Sequence, residues 1–357
     1  MSSFEYMFST SEYLPDAPEI NLRKSMQQTG EARTVLTDRF QRTIDYTRIS
    51  VTSDCNLRCF YCKRESPGIP TPDDQQMKTG EIKTLIELLA EMGIRKIRFT
   101  GGEPLLRPDI VDLVQIAKST TGIETVSLTT NGTLLEKHFE ALVSAGLDGI
   151  NLSIDTLNKQ RFFAITRRDK FIAVHKMLKS LLNSSLLTIK LNVLLLRGIN
   201  SDEIKEFVAL TMSYPVTIRF MELQPFDDRQ IWRTGRFMSA EKIRAELFAA
   251  YPALSEVSGS ATEFFSYRLP GSSGSLAIIP AYTRNFCSKC KRLRITSDGK
   301  VLSCLYHTQS LDLLPDLRNR SAKHQLEAII RKAVSLKPEN GKHGNNAKGM
   351  SMSEIGG

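Results

Sequence analysis

The residues of this 357-residue chain with the clearest chemical spacing are its six cysteines. They fall as Cys55, Cys59 and Cys62, then Cys287, Cys290 and Cys304, reading C-x3-C-x2-C and C-x2-C-x13-C with none left over. Disulfide frameworks belong to short secreted chains. This chain is long, and its first twenty residues carry Glu5, Glu12, Asp16 and Glu19 without one Lys or Arg, unlike a secretory signal or a mitochondrial presequence. A closed structural zinc site takes four Cys or His ligands, and His307, three residues after Cys304, is the nearby candidate for a fourth. A four-iron cluster needs a ligand at every iron. Three thiolates per trio leave one iron open to bind something else, which suits chemistry rather than electron storage. Zinc and plain electron transfer stay open as alternatives at this point.

Elements able to position such groups follow the first trio as alternating strand and helix patterns. Strand-like runs cover Tyr46–Thr52, Lys96–Thr100, Thr125–Thr130, Gly149–Ile154, Leu187–Leu196 and Val216–Leu223. Helix-like runs lie near 80–92, 109–119, 134–145, 170–182 and 202–213, which makes six βα units and a parallel sheet. Residues two apart in a strand share a face. One face therefore carries Arg48, Ser50 and Thr52, then Lys96, Arg98 and Thr100, then Ser127, Thr129 and Asn131. It continues as Asn151, Ser153 and Asp155, and as Lys190 and Asn192. A sheet covered on both sides would read as unbroken Val, Ile and Leu, and a wet antiparallel sheet would lack the intervening helices. The expected fold is α/β, a partial (βα)6 barrel with a hydrated, basic lumen where Arg48, Lys96, Arg98 and Lys190 converge, suited to a polyphosphate.

Composition agrees. The chain is 41% hydrophobic, enough for a large core, with a net charge of +9. That charge fits an anionic partner, either nucleic acid or a phosphorylated small molecule. A nucleic-acid surface would interleave Lys/Arg stripes with aromatics, whereas the prominent arginines here sit at strand-parity and cysteine-adjacent positions. No apolar run approaches the roughly 20 residues of a membrane span. The expectation is a cytoplasmic protein with no membrane and no nucleic-acid partner.

The octet Cys55-Asn56-Leu57-Arg58-Cys59-Phe60-Tyr61-Cys62, with an aromatic before its last Cys, resembles the signature of the radical S-adenosylmethionine (SAM) superfamily. Gly101-Gly102-Glu103-Pro104, directly after the second strand, is similar to that superfamily's loop holding the SAM amino group. The resemblance implies a [4Fe-4S] cluster on the first trio that binds SAM at its open iron and cleaves it to a 5′-deoxyadenosyl radical. It also implies SAM contacts at Tyr61, Gly102, Ser153 and Gln224, the last standing where Met is common, so that its contact would be through backbone. Glu103 is expected to turn an acidic or backbone contact toward an ammonium.

The second trio encloses Arg292-Leu293-Arg294 and a hairpin-like Ser297-Asp298-Gly299-Lys300. With Thr129-Thr130-Asn131-Gly132, Ile165-Thr166-Arg167-Arg168-Asp169 and the terminal Gly356-Gly357, it resembles the GTP 3′,8-cyclase family of molybdenum cofactor biosynthesis over about residues 40–310 plus the tail. The resemblance implies a second [4Fe-4S] cluster on Cys287, Cys290 and Cys304 whose open iron holds guanine. GTP contacts would fall at Arg48, Arg98, Thr129, Lys190, Arg292 and Arg294, with catalytic roles for Arg292, Arg294, Gly356 and Gly357. The reaction would take the ribose 3′ hydrogen and close a ring onto guanine C8. Implied partners are a cyclic pyranopterin monophosphate synthase downstream and an electron donor such as flavodoxin or ferredoxin, with a homodimer left open. A different twin-cluster radical SAM enzyme acting on a peptide is the rival, although such enzymes usually bring more cysteines. Lys63 and Lys291 depart from the Met and Asn common in the family. The expected domains are an N-terminal extension over 1–38, the partial barrel over 39–225, a C-terminal second-cluster extension over 226–337 and a flexible tail over 338–357.

Overall fold

The structure is a computed structural model that describes residues 35–62, 73–224, 234–259, 265–283, 287–306 and 309–340. Lys63, His307, Gly356, Gly357 and residues 1–34 lie outside the described residues. The barrel strands are β1 (Tyr46–Ser50), β2 (Lys96–Thr100), β3 (Thr125–Thr130), β4 (Gly149–Ser153), β5 (Thr188–Leu194) and β6 (Thr217–Met221). Helices α1 (Thr79–Glu91), α2 (Ile110–Ser119), α3 (Leu135–Ser144), α4 (Lys159–Thr166), α5 (Phe171–Leu182) and α6 (Ile204–Ser213) lie between them. All six strands pair in sequence order and in parallel, as the expected (βα)6 barrel requires.

Period-3.6 patterns produce the helices. In α2, Ile110, Leu113, Val114 and Ala117 are buried at i, i+3, i+4 and i+7, one apolar stripe facing the sheet. The outward side chains of the strands, Ile49, Ile97, Phe99, Val126, Leu128, Ile150, Leu152 and Leu191, are fully buried beneath these helices. Each such side chain contributes about 1.5–3 kcal/mol of hydrophobic stabilisation. Their neighbours in sequence therefore face the other way, and the polar parity read from the sequence is the lumen face. The short α4 was not expected from the sequence. Asn158 caps it, its side chain accepting from Arg161 N at 3.1 Å, and it ends at Arg167 with φ 55°.

The remaining elements are α7 (Ala240–Ala250), β7 (Ser255–Glu256), β8 (Phe265–Arg268), β9 (Ser275–Ile279), β10 (Arg292–Ile295), β11 (Lys300–Leu302), β12 (Leu311–Asp312), α8 (Leu314–Arg318) and α9 (Lys323–Ser335). They extend the same sheet. β9 pairs in parallel with β6, and β10 pairs in parallel with β1 on the opposite edge. Among the described residues the sheet runs β12-β11-β10-β1-β2-β3-β4-β5-β6-β9-β8-β7. The hairpin expected at Ser297–Lys300 joins β10 to β11, with Gly299 at φ 76° and Lys300 N donating to Thr296 Oγ1 at 2.9 Å. No helix among the described residues is long and apolar enough to cross a membrane.

Candidate active site

The first cysteine loop leaves the carboxyl end of β1, where open α/β sheets carry their sites. Its shape is held by backbone of other elements. Arg58 N donates to Thr166 O at 2.9 Å and Phe60 N to Ile165 O at 3.2 Å, so the end of α4 grips the loop. This gives the Ile165–Asp169 motif a physical role. On the other side Gly102 N donates to Thr52 O at 2.8 Å and Glu103 N to Asp54 O at 2.6 Å. A Cβ on Gly101 would lie 2.4 Å from Thr52 O, and one on Gly102 would lie 2.1 Å from Asp54 O. Both positions therefore demand glycine, because the neighbouring atoms are backbone that cannot step aside.

Glu103 behaves differently from the expectation of an ammonium contact. Its carboxylate is fully buried and accepts from Leu105 N at 3.1 Å, Thr130 Oγ1 at 2.7 Å and Asn131 N at 2.7 Å. It ties the ends of β2 and β3 together. Burial pushes its pKa up to about 7 against those three donors. Asn131, brought over by this latch, points its amide at Cys55 Sγ, 3.8 Å away, and at Asn56 Oδ1, 2.9 Å away.

A cavity of about 260 Å³ lies inside the sheet, and all six cysteines line it. It is also lined by Arg48, Arg98, Thr129, Ser153, Asn192, Arg219 and Arg294, one from each of seven neighbouring strands, so the sheet must curve around it. Tyr61, Gly102, Gln224 and Arg292 complete the set of expected residues in the lining. Six parity residues do not join it: Ser50, Thr52, Ser127, Asn151 and the two lysines. Lys96 opens β2 and is exposed, and Lys190 is half-buried one pleat before Asn192. Lys190 sits in the row Thr129–Asn151–Lys190, with Asn151 and Lys190 paired in register.

Asp155 was placed on the polar face by parity but given no role, and among other lining residues Arg219 and Lys337 were not singled out from sequence. Asp155 accepts from the Tyr61 hydroxyl and, at 2.9 Å, from Leu194 N, and burial raises its pKa to about 6. Its place on the lumen parity of β4 was the available signal. Arg219 projects from β6 toward Asn192 Oδ1 at 3.4 Å, and its parity with Met221 was likewise legible. Lys337, just beyond α9, is buried and donates to Arg292 O at 2.8 Å and Ser303 O at 2.6 Å. Nothing local to Lys337 announces that role.

The two trios meet opposite electrostatics. Burial, followed by the nearby Cys62, Asp155 and Cys55, pushes the Cys59 thiol well up. At Cys290 burial also pushes upward, but Lys337 and Arg292 outweigh it and bring the thiol down to about 6. No disulfide joins any of the six cysteines. Among the described residues no three His, Cys, Asp or Glu side chains stand close enough to share a single metal ion. The donor set fits a polynuclear group: amide donors aim at Cys55 Sγ from Leu57 N at 3.5 Å and from Asn131, and cations face Cys290. Gln224 Oε1 and Ser303 Oγ are buried in the cavity wall without a hydrogen-bond partner among the described residues, as expected of walls that meet a ligand. Lys291 turns elsewhere, its ammonium 4.0 Å from Asp45, so its departure from the family pattern leaves the lining untouched.

A profile described as the Radical SAM superfamily matches residues 49–211, and one described as Molybdenum Cofactor Synthesis C matches residues 216–343. Native anSMEcpe with bound AdoMet is similar in structure, with a TM-score of 0.54 and 15% identity over 87% of this chain and 93% of that one. SuiB of Streptococcus suis bound to S-adenosylmethionine gives 0.54 and 14% over 82% and 67%. Identities this low speak for the fold alone, and the fold with its C-x3-C-x2-C loop is that of a radical SAM protein. The relatives in sequence are more particular. The GTP 3′,8-cyclase of Chlorobaculum tepidum is 56% identical over 333 residues, covering 93% of this chain and 100% of its own. That of Alkaliphilus metalliredigens is 40% identical over 326 residues, covering 90% and 99%. The chain belongs to the GTP 3′,8-cyclase family, which carries with it SAM and a [4Fe-4S] cluster as cofactors.

Proposed function

We propose that this protein converts GTP to (8S)-3′,8-cyclo-7,8-dihydroguanosine 5′-triphosphate, the first step of molybdenum cofactor biosynthesis, using two [4Fe-4S] clusters. The observation that carries this reading is one cavity lined by both cysteine trios and by Arg48, Arg98, Arg292 and Arg294. SAM bound at the first cluster supplies a 5′-deoxyadenosyl radical, which takes the ribose 3′ hydrogen. The Gly101–Gly102 backbone, Tyr61, Ser153 and Gln224 hold SAM beside the first trio. Tyr61 is oriented for this by its hydroxyl bond to Asp155. The row Arg294–Arg48–Arg98, in register across β10, β1 and β2, holds the triphosphate. Cys287, Cys290 and Cys304 would hold the second cluster, which would offer guanine a ligand position, with Arg292 beside it; Thr129 adds a GTP contact from the lining, and the contact expected of Lys190 lies outside that lining. The final Gly356-Gly357 is assigned a catalytic role from family resemblance alone.

Six cysteines with no disulfide among them fit a reducing compartment, the cytoplasm. A flavodoxin or ferredoxin supplies two electrons, one for SAM cleavage and one that, with a proton, quenches the radical left after ring closure, and a cyclic pyranopterin monophosphate synthase takes the product. The test is anaerobic reconstitution with iron and sulfide, reduction, and addition of SAM with and without GTP. Roughly eight irons per chain, GTP-dependent 5′-deoxyadenosine and an isomer of GTP by mass spectrometry are expected. In Arg294→Ala both clusters should assemble while GTP turnover falls about 100-fold, the scale of one lost charge-assisted bond. Wild-type product formation in that variant would refute the assignment of the basic row.

A further inference from the structure

The end of α4 carries more than its grip on the first cysteine loop requires. Between Lys159 and Ile172 the chain has five bases and one acid, Asp169. Arg161 is taken up by Asp202 and Glu203, at 2.6 and 2.8 Å. Lys159, Arg167, Arg168 and Lys170 are exposed. Lys159 and Phe163 lie four apart on one face of α4, and Phe163 is 56% exposed. Ile172, at the start of α5, is 66% exposed. Their sequence neighbours Phe162 and Phe171 are buried edge to face, 5.7 Å between ring centroids. That packing draws the two helix ends into one corner, with Phe163 and Ile172 turned outward among the cations.

Arg167 caps α4 at φ 55° and ψ 28°, left-handed backbone that suits glycine and strains a larger residue. Backbone strain of this kind gathers at functional sites. The corner also adjoins the first trio. Thr166 O and Ile165 O accept from Arg58 N at 2.9 Å and Phe60 N at 3.2 Å, and Phe163 stands about 4.5 Å along the helix axis from Thr166.

We propose that this corner is the docking surface for the protein that brings electrons to the first trio, a small one-electron carrier with acidic side chains around its redox centre. The inference rests on reading the first trio as the site of reductive SAM cleavage. Each encounter oxidises the carrier by one electron, the electron that cleavage consumes, and no atom crosses the interface. Electron transfer weakens steeply with distance, so the carrier must sit on a surface close to the cysteine loop. Opposite charges steer such partners together and fix their orientation, while Phe163 and Ile172 supply the apolar contact between them. Electron-transfer encounters bury less than about 1,200 Å² in total, so two helix ends are enough. A second copy of this chain docked through the same corner would set these cations against their own kind, which favours an acidic partner.

The test uses flavodoxin as the carrier and dithionite as a small reductant that needs no docking. Lys159 is the first residue of α4 and Lys170 the N-cap of α5. The double variant Lys159→Glu, Lys170→Glu therefore puts acids where helix dipoles favour them, and its Tm should not fall. In calorimetry at low salt, the anaerobic holoenzyme of this variant should bind oxidised flavodoxin about tenfold more weakly than wild type, the scale of close charge pairs at an interface. Wild-type binding should weaken as salt rises, and the variant's much less. Flavodoxin-driven SAM cleavage should show the same rise in KM for flavodoxin, while dithionite-driven cleavage keeps its wild-type rate. A second variant, Phe163→Ser with Ile172→Ser, leaves every charge in place and should also weaken binding. Absence of flavodoxin binding to wild type, or unchanged affinity in either variant, overturns the inference. An equal loss of dithionite-driven cleavage overturns it too, because the corner would then only support the cysteine loop. A wild type that cleaves no SAM with dithionite overturns the reading of the first trio, and this inference with it.

Discussion

Cys55, Cys59 and Cys62 lie within eight consecutive residues, whereas Cys287, Cys290 and Cys304 are spread over 18 residues and brought together by β10 and β11. The first loop is held mainly by neighbouring backbone: its Phe60 and Arg58 amides donate to the carbonyls of Ile165 and Thr166, the Gly102 and Glu103 amides donate to Thr52 O and Asp54 O, and its own Arg58 guanidinium donates to Cys55 O and Leu57 O. The second is held by buried cations. Arg42, paired with Asp38 at 2.6 Å, donates to Cys287 O at 2.7 Å, and Lys337 bonds Arg292 O and Ser303 O. Arg42 also donates to Pro338 O at 2.7 Å and Glu339 O at 2.9 Å, fixing the chain beyond α9 to the same loop. A contiguous loop needs only a fitting cradle. A dispersed one must be tied from outside, and charge-assisted bonds to carbonyls are the strong way to do it. The difference also divides the chemistry: the Cys59 thiol pushed up by burial and by neighbours that include Asp155 at one trio, the Cys290 thiol drawn down by Lys337 and Arg292 at the other.

The sharpest way to break this division is to remove one ligand from each side. Cys59→Ser should cut SAM cleavage on the order of 1,000-fold or more, since the cofactor carries the chemistry. Cys304→Ser should keep the SAM cleavage seen without GTP and lose the GTP-dependent part together with the GTP product, both read by chromatography of 5′-deoxyadenosine and nucleotide. If the two variants lose both activities alike, the division of labour is wrong.

The cradle of the first loop is tested next. Gly102→Ala should destabilise the protein by about 1–3 kcal/mol through overpacking and weaken SAM binding, measured by thermal unfolding and equilibrium dialysis. Gly80→Ala, at the start of α1 where an added Cβ meets nothing within 4 Å, is the control. It should be neutral or stabilise by up to about 1 kcal/mol. Similar losses in both would remove the close approach as the cause.

On the second side, Lys337→Met keeps the length and deletes the charge. Iron of the second cluster should then pass to a chelator about tenfold faster, a loss of about 1.4 kcal/mol, one charge-assisted bond. The first cluster should keep its wild-type rate. Faster loss from both, or from neither, would contradict the cation-held loop. The smallest effect is expected at Lys291→Asn. Its pair with Asp45 is partly exposed, so stability should change by less than about 1 kcal/mol, with iron content unaltered on titration.

Much of the site was legible in the chain itself. Alternation along β1 to β5 marked Arg48, Arg98, Thr129 and Ser153 as one face, and all four line the cavity. That works because strand parity is a local property: once Ile49 and Ile97 must be buried, the direction of Arg48 and Arg98 follows. The same rule selected Lys96 and Lys190, and the structure keeps both outside the lining, because parity sets the face of a residue but not its depth along the strand. Glu103 was read as turning its acid or its backbone toward an ammonium, and the structure spends both carboxylate oxygens on Leu105, Thr130 and Asn131. An acid after two glycines looks the same in sequence whichever way it turns.

By itself the sequence determined the two cysteine spacings, the six βα units and the polar face, each written within windows of a few to a few dozen residues. Only the tertiary structure decided that β10 closes against β1 and β9 against β6, bringing the second trio into the same cavity lining as the first. It also decided that Tyr46 meets Arg292, and that Arg42 and Lys337 reach the second cysteine loop. Those pairings join residues some 45 to 250 positions apart. They are selected by how the whole chain buries its surface and pairs its strand edges, which no local pattern of residue types encodes.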